Sequence, residues 1–356
     1  MEKKKIVVGL SGGVDSSVAA RILVDQGHEV IGVFMKNWDE GGDDCTATQD
    51  ASDALAVAQK IGIPFESVNY AKEYWEDVFE YFLSENKAGR TPNPDVLCNK
   101  YVKFGPFLRY AESINADFVA TGHYARVRTN SDGLRELCLP IDANKDQTYF
   151  LHQLNQAQLE KTLFPLADLT KPEIRKIAET EGFVTADKKD STGICFVGAK
   201  NYGKFLSKYV AKKAGNIRDL ETKKIIGQHV GLSFYTRGQS KSLLIGGLRD
   251  FPEGKWYVVE KDFENNDLLV SQDENFLMEN CLETSNMHWI LGTPPSKNFR
   301  ALVKTRYRDV GVMAHVSVLE TGNILVEFDD LVRAITPGQS AVLYVGDVCL
   351  GGGEIK

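Results

Sequence analysis

The chain has 356 residues, of which 43% are hydrophobic and 26% are charged, and its formal net charge is -7. This composition is typical of soluble proteins with a packed core, and the length predicts two or three domains. No apolar stretch reaches the roughly 20 residues that a membrane span needs, and the apolar run near the N-terminus is too short for a signal peptide, so we expect a cytoplasmic protein with no membrane partner.

The first 125 residues alternate between strand and helix patterns. Strands are predicted at KKIVVGLS, HEVIGVFMK, PFESVNY and ADFVATGH, and helices at SSVAARILVDQG, QDASDALAVAQKIG, EYWEDVFEYFLSENKAG and from Val96 to Ser113. This alternation indicates an α/β fold with a doubly wound parallel sheet, whose ligands bind at the carboxyl ends of the strands. Further along, DLTKPEIRKIAETEG predicts a helix capped by Thr170, with Glu173 completing a capping box and Pro172 in the first turn.

Beyond Gly215 the chain changes to short β-rich segments, and from about Asn280 the pattern is β only. Turn residues separate the last strands at short intervals, which is typical of a small barrel or sandwich. We therefore predict a catalytic α/β domain over residues 1–200, a small β-rich domain over 201–276 and a C-terminal β-barrel over 277–356.

The segment GLSGGVDSS, residues 9–17, directly follows the first predicted strand. A strand, a glycine-rich turn and a helix N-terminus together point backbone N–H groups at an anion, and glycines let the backbone approach closely. Ser11 and Ser16 can donate hydroxyl hydrogen bonds, and Asp15 can hold Mg2+ against phosphates. A plain helix cap is the alternative, but the whole pattern favours a phosphate site, built without the lysine of the better-known phosphate loop.

The six cysteines, at positions 45, 98, 138, 195, 281 and 349, are too widely spaced to predict a metal site, and most are expected to be buried. In TPNPDVLCNKYVKFG, Asp95 can cap a helix and place Cys98 at its third position, where the helix dipole favours the thiolate. A buried cysteine in an amphipathic helix is the alternative. In DSTGICFVG, the apolar neighbours of Cys195 suit either a buried strand or a protected reactive sulfur.

Charge is distributed unevenly along the chain. Residues 37–85 hold 12 acidic and 2 basic residues, whereas residues 171–224 hold 13 basic and 7 acidic residues. Within the basic window, KNYGKFLSKYVAKKAG interleaves lysines with three aromatic residues. This segment is either a solvated amphipathic helix or a contact with a phosphate backbone.

These segments together resemble one family. SGGVDS resembles the loop of the ATP pyrophosphatases (the PP-loop), which split ATP into AMP and pyrophosphate. The chain also resembles the bacterial tRNA-specific 2-thiouridylases over essentially its whole length, in GLSGGVDSSVAA, TPNPDVLCN, ATGHYAR, KDQTYFL, STGICF, GQHVGLSFYTRGQ, KTRYRD, PGQSAVLY and CLGGG. No motif of that family is missing.

The resemblance implies ATP-dependent 2-thiolation of the wobble uridine in tRNAs for lysine, glutamate and glutamine. It makes Cys195 the persulfide carrier, Cys98 the nucleophile that cleaves the persulfide, and Asp95 a general acid/base. It also implies a cysteine desulfurase or relay protein as sulfur donor, and a reductant for the resulting Cys98–Cys195 disulfide. The ATP site, with Mg2+, would comprise Gly9, Leu10, Ser11, Gly12, Gly13, Val14, Asp15, Ser16, Met35 and Gly122.

The resemblance also implies two sets of RNA contacts. The target base would meet Asn93, Pro94 and Asp95, and the rest of the tRNA would meet His123, Lys145, Asp146, Gln147, Arg306, Tyr307 and Gln339. His123, Lys145 and the adjacent pair at 306–307 also have purely structural interpretations. We further expect the basic window to contact tRNA, so that charge reversal at Lys204 and Lys208 weakens binding.

Two other functions explain part of the pattern. A different ATP pyrophosphatase, such as an amidating synthetase acting on a metabolite, accounts for the loop but not for the two cysteines or the β-rich tail, and the chain has no glutaminase-like portion. An RNA-binding translation accessory with an inactive nucleotide domain conflicts with the intact Ser-Gly-Gly-x-Asp-Ser loop.

Overall fold

The computed structural model describes residues 2–38, 47–190 and 202–356. Its N-terminal part is built on a parallel sheet in the order β3-β2-β1-β4-β7. The first seven strands are β1 (Lys5–Gly9), β2 (Glu29–Lys36), β3 (Phe65–Asn69), β4 (Phe118–Ala120), β5 (Arg126–Thr129), β6 (Arg135–Cys138) and β7 (Thr162–Leu163). Ile6, Val7 and Val8 are fully buried, since helices cover both faces of the sheet, and the predicted α/β fold is confirmed.

The helices lie mostly in this N-terminal part. They are α1 (Val14–Asp25), α2 (Ala47–Ile61), α3 (Ala71–Tyr74), α4 (Glu80–Lys87), α5 (Pro94–Cys98), α6 (Pro106–Ser113), α7 (Thr148–Leu151), α8 (Gln156–Glu160), α9 (Lys171–Thr180) and α10 (Tyr202–Leu206). Two π-helical turns, Trp75–Phe79 and Asn99–Lys103, follow α3 and α5, and two short 3-10 helices span Leu232–Phe234 and Glu274–Leu277. Within the described ranges, no helix has the length and apolar character needed to cross a membrane.

Helix α9 begins where the sequence predicts. Thr170 is its N-cap, and the Thr170 backbone N–H and hydroxyl both donate to the Glu173 carboxylate, at 2.7 and 2.6 Å. Pro172 lies in the first turn, where its missing N–H has no intrahelical partner to lose. The predicted cap is confirmed.

The helical pattern from Val96 to Ser113 does not form one helix, which corrects the prediction. After the π-helical turn the chain bends at Gly105, which serves as the N-cap of α6, and Pro106 starts the next helix. Proline excludes the preceding residue from the helical region, and a Cβ on Gly105 would lie 2.6 Å from the Tyr101 carbonyl oxygen. The Gly-Pro pair therefore breaks the helix.

The remaining strands form two further sheets. Strands β8 (Gly215–Asp219), β9 (Ile225–His229), β10 (Tyr257–Asp262) and β11 (Asp267–Ser271) pair in the order β10-β11-β8-β9. Strands β12 (Met278–Trp289), β13 (Asn298–Lys304), β14 (Val312–Val318), β15 (Ile324–Arg333), β16 (Ser340–Val345) and β17 (Val348–Ile355) pair in the order β12-β15-β14-β13-β16-β17. The antiparallel pairing of β12 with β17 closes this sheet and confirms the predicted barrel.

One hairpin of the N-terminal part joins the barrel sheet. Strands β5 and β6 pair with each other, and β6 pairs with β17 through Cys138 opposite Val348 and Leu137 opposite Cys349. This pairing joins the N-terminal part to the C-terminal barrel. The exact domain limits proposed from the sequence stay predictions.

Candidate active site

The glycine-rich loop connects β1 to α1 at the carboxyl end of the middle strand of the parallel sheet. Gly13 is the N-cap of α1 and makes no side-chain capping bond. The Ser16 hydroxyl accepts from the Ser11 N–H and donates to the Gly13 carbonyl, each at 3.1 Å. Because no cap covers the helix start, the first N–H groups of α1 remain available to an anion.

Glycines keep the space around this helix start clear. A Cβ on Gly122, just after β4, would lie 2.6 Å from the Ser16 backbone nitrogen. A Cβ on Gly9 would lie 3.0 Å from Met35 Cε, and Gly12 has a φ of +74° that disfavours other residues. The structure thus brings the loop, Met35 and Gly122 together, as the predicted ATP site requires. These residues form a cradle around the start of α1, which stays open because glycines border it.

A buried lysine compensates the charge of the loop carboxylate. Lys171 Nζ lies 2.7 and 2.8 Å from the two Asp15 carboxylate oxygens, and the Tyr124 hydroxyl donates to Asp15 at 2.7 Å. Lys171 is only 8% exposed and also contacts Asp190 at 2.7 Å. Positive charge therefore reaches the loop from α9, although the loop has no lysine of its own.

Asp190 forms ion pairs with three basic side chains. Lys171, Lys145 and Arg175 lie within 2.7, 2.6 and 3.0 Å of its carboxylate. Burial alone would raise the pKa of Asp190, but the bonds to Lys145 and Lys171 outweigh burial and lower the pKa to about 2. Asp190 is therefore ionised at neutral pH.

A second lysine, Lys188, contacts the backbone of the loop at Gly12. Lys188 Nζ donates to the Gly12 carbonyl at 2.8 Å and to the carboxylates of Asp50 and Asp53 at 2.7 and 2.5 Å. Burial alone would lower the pKa of Lys188, but the bonds to the two carboxylates raise it above its ordinary value. The sequence alone does not single out Lys171 and Lys188 as site residues. Lys171 is marked only by its unfavourable position at the start of a helix, and Lys188 only by the charged residues around it before the Cys195 motif.

Helix α5 carries the predicted base-contacting residues, and its cap differs from the prediction. The N-cap is Asn93, whose side chain accepts from the Asp95 N–H at 3.1 Å, so Asp95 is not the cap. Pro94 occupies the first helical position because it has no N–H to satisfy, which moves the cap one residue before it. Cys98 is consequently the fifth residue of α5, not the third, and is 3% exposed. The helix dipole acts on it less than predicted.

Asp95 and His123 each lie in low-polarity surroundings. Burial raises the pKa of Asp95 above its ordinary value, partly offset by the Lys103 charge. Burial, followed by the same lysine, holds the pKa of His123 well below its ordinary value. Lys103 therefore acts on both groups, and Gly122, which borders the start of α1, directly precedes His123.

The cysteines divide into three cases: buried, exposed, and outside the described residues. Cys138 and Cys349 are buried, as expected of structural thiols. Cys281 is exposed on the outer face of the barrel strand β12 and is an exception to the burial expected of most cysteines. Cys45 and Cys195 lie outside the described residues, so the role of Cys195 stays a prediction.

Several predicted tRNA contacts are bonded within the protein. Asp146 is 8% exposed and pairs with Lys304 at 2.8 Å, and the Gln147 side chain accepts from the Tyr124 N–H at 2.9 Å. Lys145 pairs with Asp190 as described above. These bonds give the three residues structural roles, and their contact with tRNA stays a prediction.

The predicted tRNA contacts in the barrel also have partners within the protein. The Arg306 guanidinium donates to the Ala334 carbonyl at 2.7 Å, and the Tyr307 ring centre lies 4.3 Å from that of Phe150. Gln339 Nε2 donates to the Thr91 carbonyl at 2.6 Å. Gln339 thus connects the barrel to the segment that leads into α5, and its contact with tRNA also stays a prediction.

The lysine- and aromatic-rich segment of the basic window, KNYGKFLSKYVAKKAG, contains less helix in its described part than its pattern indicates. Within its described part, the segment from Tyr202 onwards is helical only to Leu206, and its aromatic side chains face the core: the Tyr202 hydroxyl donates to Asn86 at 3.0 Å, and the Tyr209 ring centre lies 4.8 Å from that of Phe79. The two lysines, Lys204 and Lys208, are exposed. The aromatic residues therefore pack inside, while the lysines face solvent.

The described ranges contain no group of three or more His, Cys, Asp or Glu side chains that could hold a metal ion. Asp15 is the acidic side chain of the glycine-rich loop. Because Mg2+ is usually held by one or two carboxylates together with substrate phosphates, this donor set fits an ion that arrives with a nucleotide.

A parallel α/β sheet with a glycine-rich loop aimed at an uncapped helix start defines a nucleotide-binding protein. Family profiles match the chain in three parts: a tRNA methyl transferase HUP domain over residues 4–199, a tRNA methyl transferase PRC-barrel domain over 203–272 and an aminomethyltransferase beta-barrel domain over 279–355.

The chain is 51% identical to the tRNA-specific 2-thiouridylase MnmA of Francisella tularensis subsp. mediasiatica (strain FSC147), over 100% of both chains, and equally to that of subsp. novicida (strain U112). A U34-tRNA thiolase, NcsA, from Methanococcus maripaludis has 18% identity over 54% of this chain and 60% of that chain, with a TM-score of 0.37. The chain belongs to the tRNA-specific 2-thiouridylase family.

Proposed function

We propose that the chain is an ATP-dependent tRNA-uridine 2-sulfurtransferase that acts on the wobble uridine of tRNAs for lysine, glutamate and glutamine. The observation that carries the proposal is the phosphate cradle at the start of α1. Family membership over the full chain supports the same activity.

In the first step the uridine is activated. The pyrophosphate end of ATP binds the loop N–H groups and the hydroxyls of Ser11 and Ser16. The 2-oxygen of uridine attacks the α-phosphorus, and the bond to pyrophosphate breaks. Mg2+ bound with the nucleotide would reach Asp15 and supply further positive charge to the phosphates.

Asp95 accepts the proton that this step releases. When the uridine 2-oxygen forms its bond to phosphorus, the N3 proton becomes acidic and needs an acceptor. The low-polarity surroundings raise the pKa of Asp95, so its carboxylate is a better base than an exposed one. The proton returns to N3 when the C2–S double bond forms.

Sulfur transfer follows. The terminal sulfur of a Cys195 persulfide attacks C2, and AMP leaves with the former 2-oxygen. The Cys98 thiolate then attacks the Cys195 sulfur, which breaks the S–S bond to the base and leaves 2-thiouridine and a Cys98–Cys195 disulfide. A thiol reductant supplies two electrons to restore the thiols, and a cysteine desulfurase or relay protein reloads Cys195.

The chain length after Asp190 suits this scheme. Asp190 lies beside Lys171 and the loop, five residues before Cys195. Five residues of extended chain span at most about 18 Å. This covalent distance is compatible with a scheme in which Cys195 acts at the cradle.

The test is sulfur incorporation into unmodified tRNA. The purified protein, ATP, Mg2+, a cysteine desulfurase and 35S-labelled cysteine should transfer label to a lysine tRNA, with AMP released in step. The matched control is the same tRNA with cytidine at the wobble position, which should remain unlabelled. Absence of ATP-dependent labelling, or amination of a small carboxylic acid instead, would contradict the proposal.

A further inference from the structure

Among the described residues, the Gly12–Gly13 peptide of the loop is hydrogen-bonded on one side, at the Gly12 carbonyl. Lys188 Nζ donates to the Gly12 carbonyl at 2.8 Å, on the side where α2 packs against the loop. A Cβ on Gly12 would lie 2.2 Å from the Asp50 carbonyl oxygen, which shows how closely α2 approaches. The carbonyl therefore points towards α2.

The geometry of the peptide bond decides where the next donor points. In a trans peptide the carbonyl and the following N–H point in opposite directions, and the described chain contains no cis peptide. With the Gly12 carbonyl directed at Lys188, the Gly13 N–H points away from α2. No described residue accepts a hydrogen bond from this N–H. Within the described ranges it is therefore an unused donor next to the start of α1.

Two carboxylates keep the Lys188 ammonium in place. Asp50 and Asp53 accept from Nζ at 2.7 and 2.5 Å, and both belong to α2. Three acceptors around one ammonium use its three N–H donors, so the lysine has one preferred position. The orientation of the Gly12 carbonyl is correspondingly fixed.

We propose that Lys188 is a positioning residue of the ATP site, which turns the Gly13 N–H towards the pyrophosphate portion of ATP. This inference rests on the proposed function. Lys188 acts through the Gly12–Gly13 peptide and not by its own charge on the nucleotide, because its three donors are engaged elsewhere. It thereby couples α2 and the segment before Cys195 to the phosphate cradle.

The experiment measures the binding of ATP, pyrophosphate and AMP by calorimetry in the full chain, with Mg2+ present. Lys188→Met should weaken ATP and pyrophosphate about tenfold, the usual cost of one oriented donor to an anion, and leave AMP unchanged. Lys188→Arg should retain most of the affinity. Lys176→Met is the matched control, because Lys176 is an exposed lysine of α9 and its loss removes the same charge. Lys188→Gln, which is too short to reach the carbonyl, replaces the methionine variant if that variant does not fold.

Two further measurements separate positioning from charge. If stranded carboxylates repel the phosphates, a Lys188→Met variant that also carries Asp50→Asn and Asp53→Asn would regain wild-type affinity, which would overturn the proposal. We expect this triple variant to remain weak. The salt dependence of pyrophosphate affinity should be the same in the wild type and Lys188→Met, whereas a smaller slope in the variant would indicate direct contact with phosphate and refute positioning.

The outcomes also distinguish this inference from the proposed function. A wild-type protein that fails to bind ATP contradicts the proposed function itself. Wild-type binding combined with a folded Lys188→Met variant whose ATP and pyrophosphate affinities stay within twofold contradicts the role of Lys188 alone.

Discussion

At the scale of single residues, the site depends on charges that come from distant parts of the chain. A lysine at the first position of a helix opposes the helix dipole, and burying its ammonium costs several kcal/mol unless it is paired. Lys171 occupies such a position and is paired with both Asp15 and Asp190. The same pairing balances the charge of Asp15 in the glycine-rich loop with that of a buried lysine.

Gly122→Ala tests the cradle directly. The added Cβ would lie 2.6 Å from the Ser16 backbone nitrogen and would occupy the space in front of the α1 start, so ATP affinity should fall at least tenfold. Calorimetric titration with ATP measures the effect. Gly246→Ala is the control, since its Cβ meets nothing within 4 Å, and it should bind as the wild type does. Equal affinities in the two variants would place ATP elsewhere.

At the scale of elements, α5 is a short helix whose start determines where its functional side chains lie. Asn93 caps it, Pro94 begins it, and Asp95 and Cys98 follow within five residues. A π-helical turn then continues the chain to Lys103, the cation that affects the pKa of both Asp95 and His123. Small changes at the cap should therefore alter the whole segment.

Replacement of Asn93 separates its role as a cap from its predicted contact with the base. Asn93→Ala should lower the free energy of unfolding by about 1 kcal/mol, while Asn93→Ser, which also caps, should retain most of it. If Asn93 also meets the base, the serine variant should still thiolate tRNA with reduced kcat/KM. Urea unfolding and initial rates of both variants provide the comparison. A serine variant with wild-type kcat/KM would limit Asn93 to capping.

The sequence predicts those features whose signals are local. The loop, the α/β order, the Thr170 cap and the barrel each depend on local patterns, and the break at Gly105–Pro106 also has a local signal. Partners far apart in sequence leave no such pattern: Lys171 and Asp15 are 156 residues apart, and Lys188 and Asp50 are 138 apart. For the same reason, the sequence does not show that the basic and acidic windows meet, although Lys188 of the basic window pairs with Asp50 and Asp53 of the acidic window.

At the scale of the whole molecule, the two β-rich parts hold the segment that leads into α5. Lys261 Nζ of β10 donates to the Gly89 carbonyl at 2.8 Å, and the Phe263 ring lies 2.2 Å from where a Gly89 Cβ would be. From the barrel side, the Pro337 carbonyl accepts from the Thr91 N–H at 2.9 Å, and Gln339 donates to the Thr91 carbonyl. All three parts of the chain therefore determine the position of Asn93 and Asp95.

Lys261 makes this contact pH-dependent. Burial lowers the pKa of Lys261 to about 8, against 10.5 in the unfolded chain. Between these values the unfolded chain binds a proton that the folded chain has released, so the Lys261 contribution to stability increases as pH rises from 8 towards 10.5. The difference in unfolding free energy between the wild type and Lys261→Met should shift by roughly 2 kcal/mol in favour of the wild type from pH 7 to pH 10. A constant difference would refute the assignment.

Charge reversal tests the surface that we expect to meet tRNA. Lys204 and Lys208 are exposed in the basic window, so Lys204→Glu and Lys208→Glu should each weaken tRNA binding several-fold and reduce its salt dependence by about one phosphate contact. Lys60→Glu, an exposed lysine of α2 in the acidic window, is the control. Filter binding at several salt concentrations measures the effect. Unchanged salt-dependent affinity in both variants would remove this surface from the account.

The central claim is that the phosphate cradle, Cys98 and Cys195 act on one RNA base. Mass spectrometry of tRNA nucleosides after reaction with Cys98→Ser and Cys195→Ser tests it most directly, with Cys281→Ser as a control because that thiol is exposed and outside the site. We expect no 2-thiouridine from the first two variants and the wild-type rate from the control. Normal 2-thiouridine formation by either Cys98→Ser or Cys195→Ser would contradict the sulfur-transfer scheme.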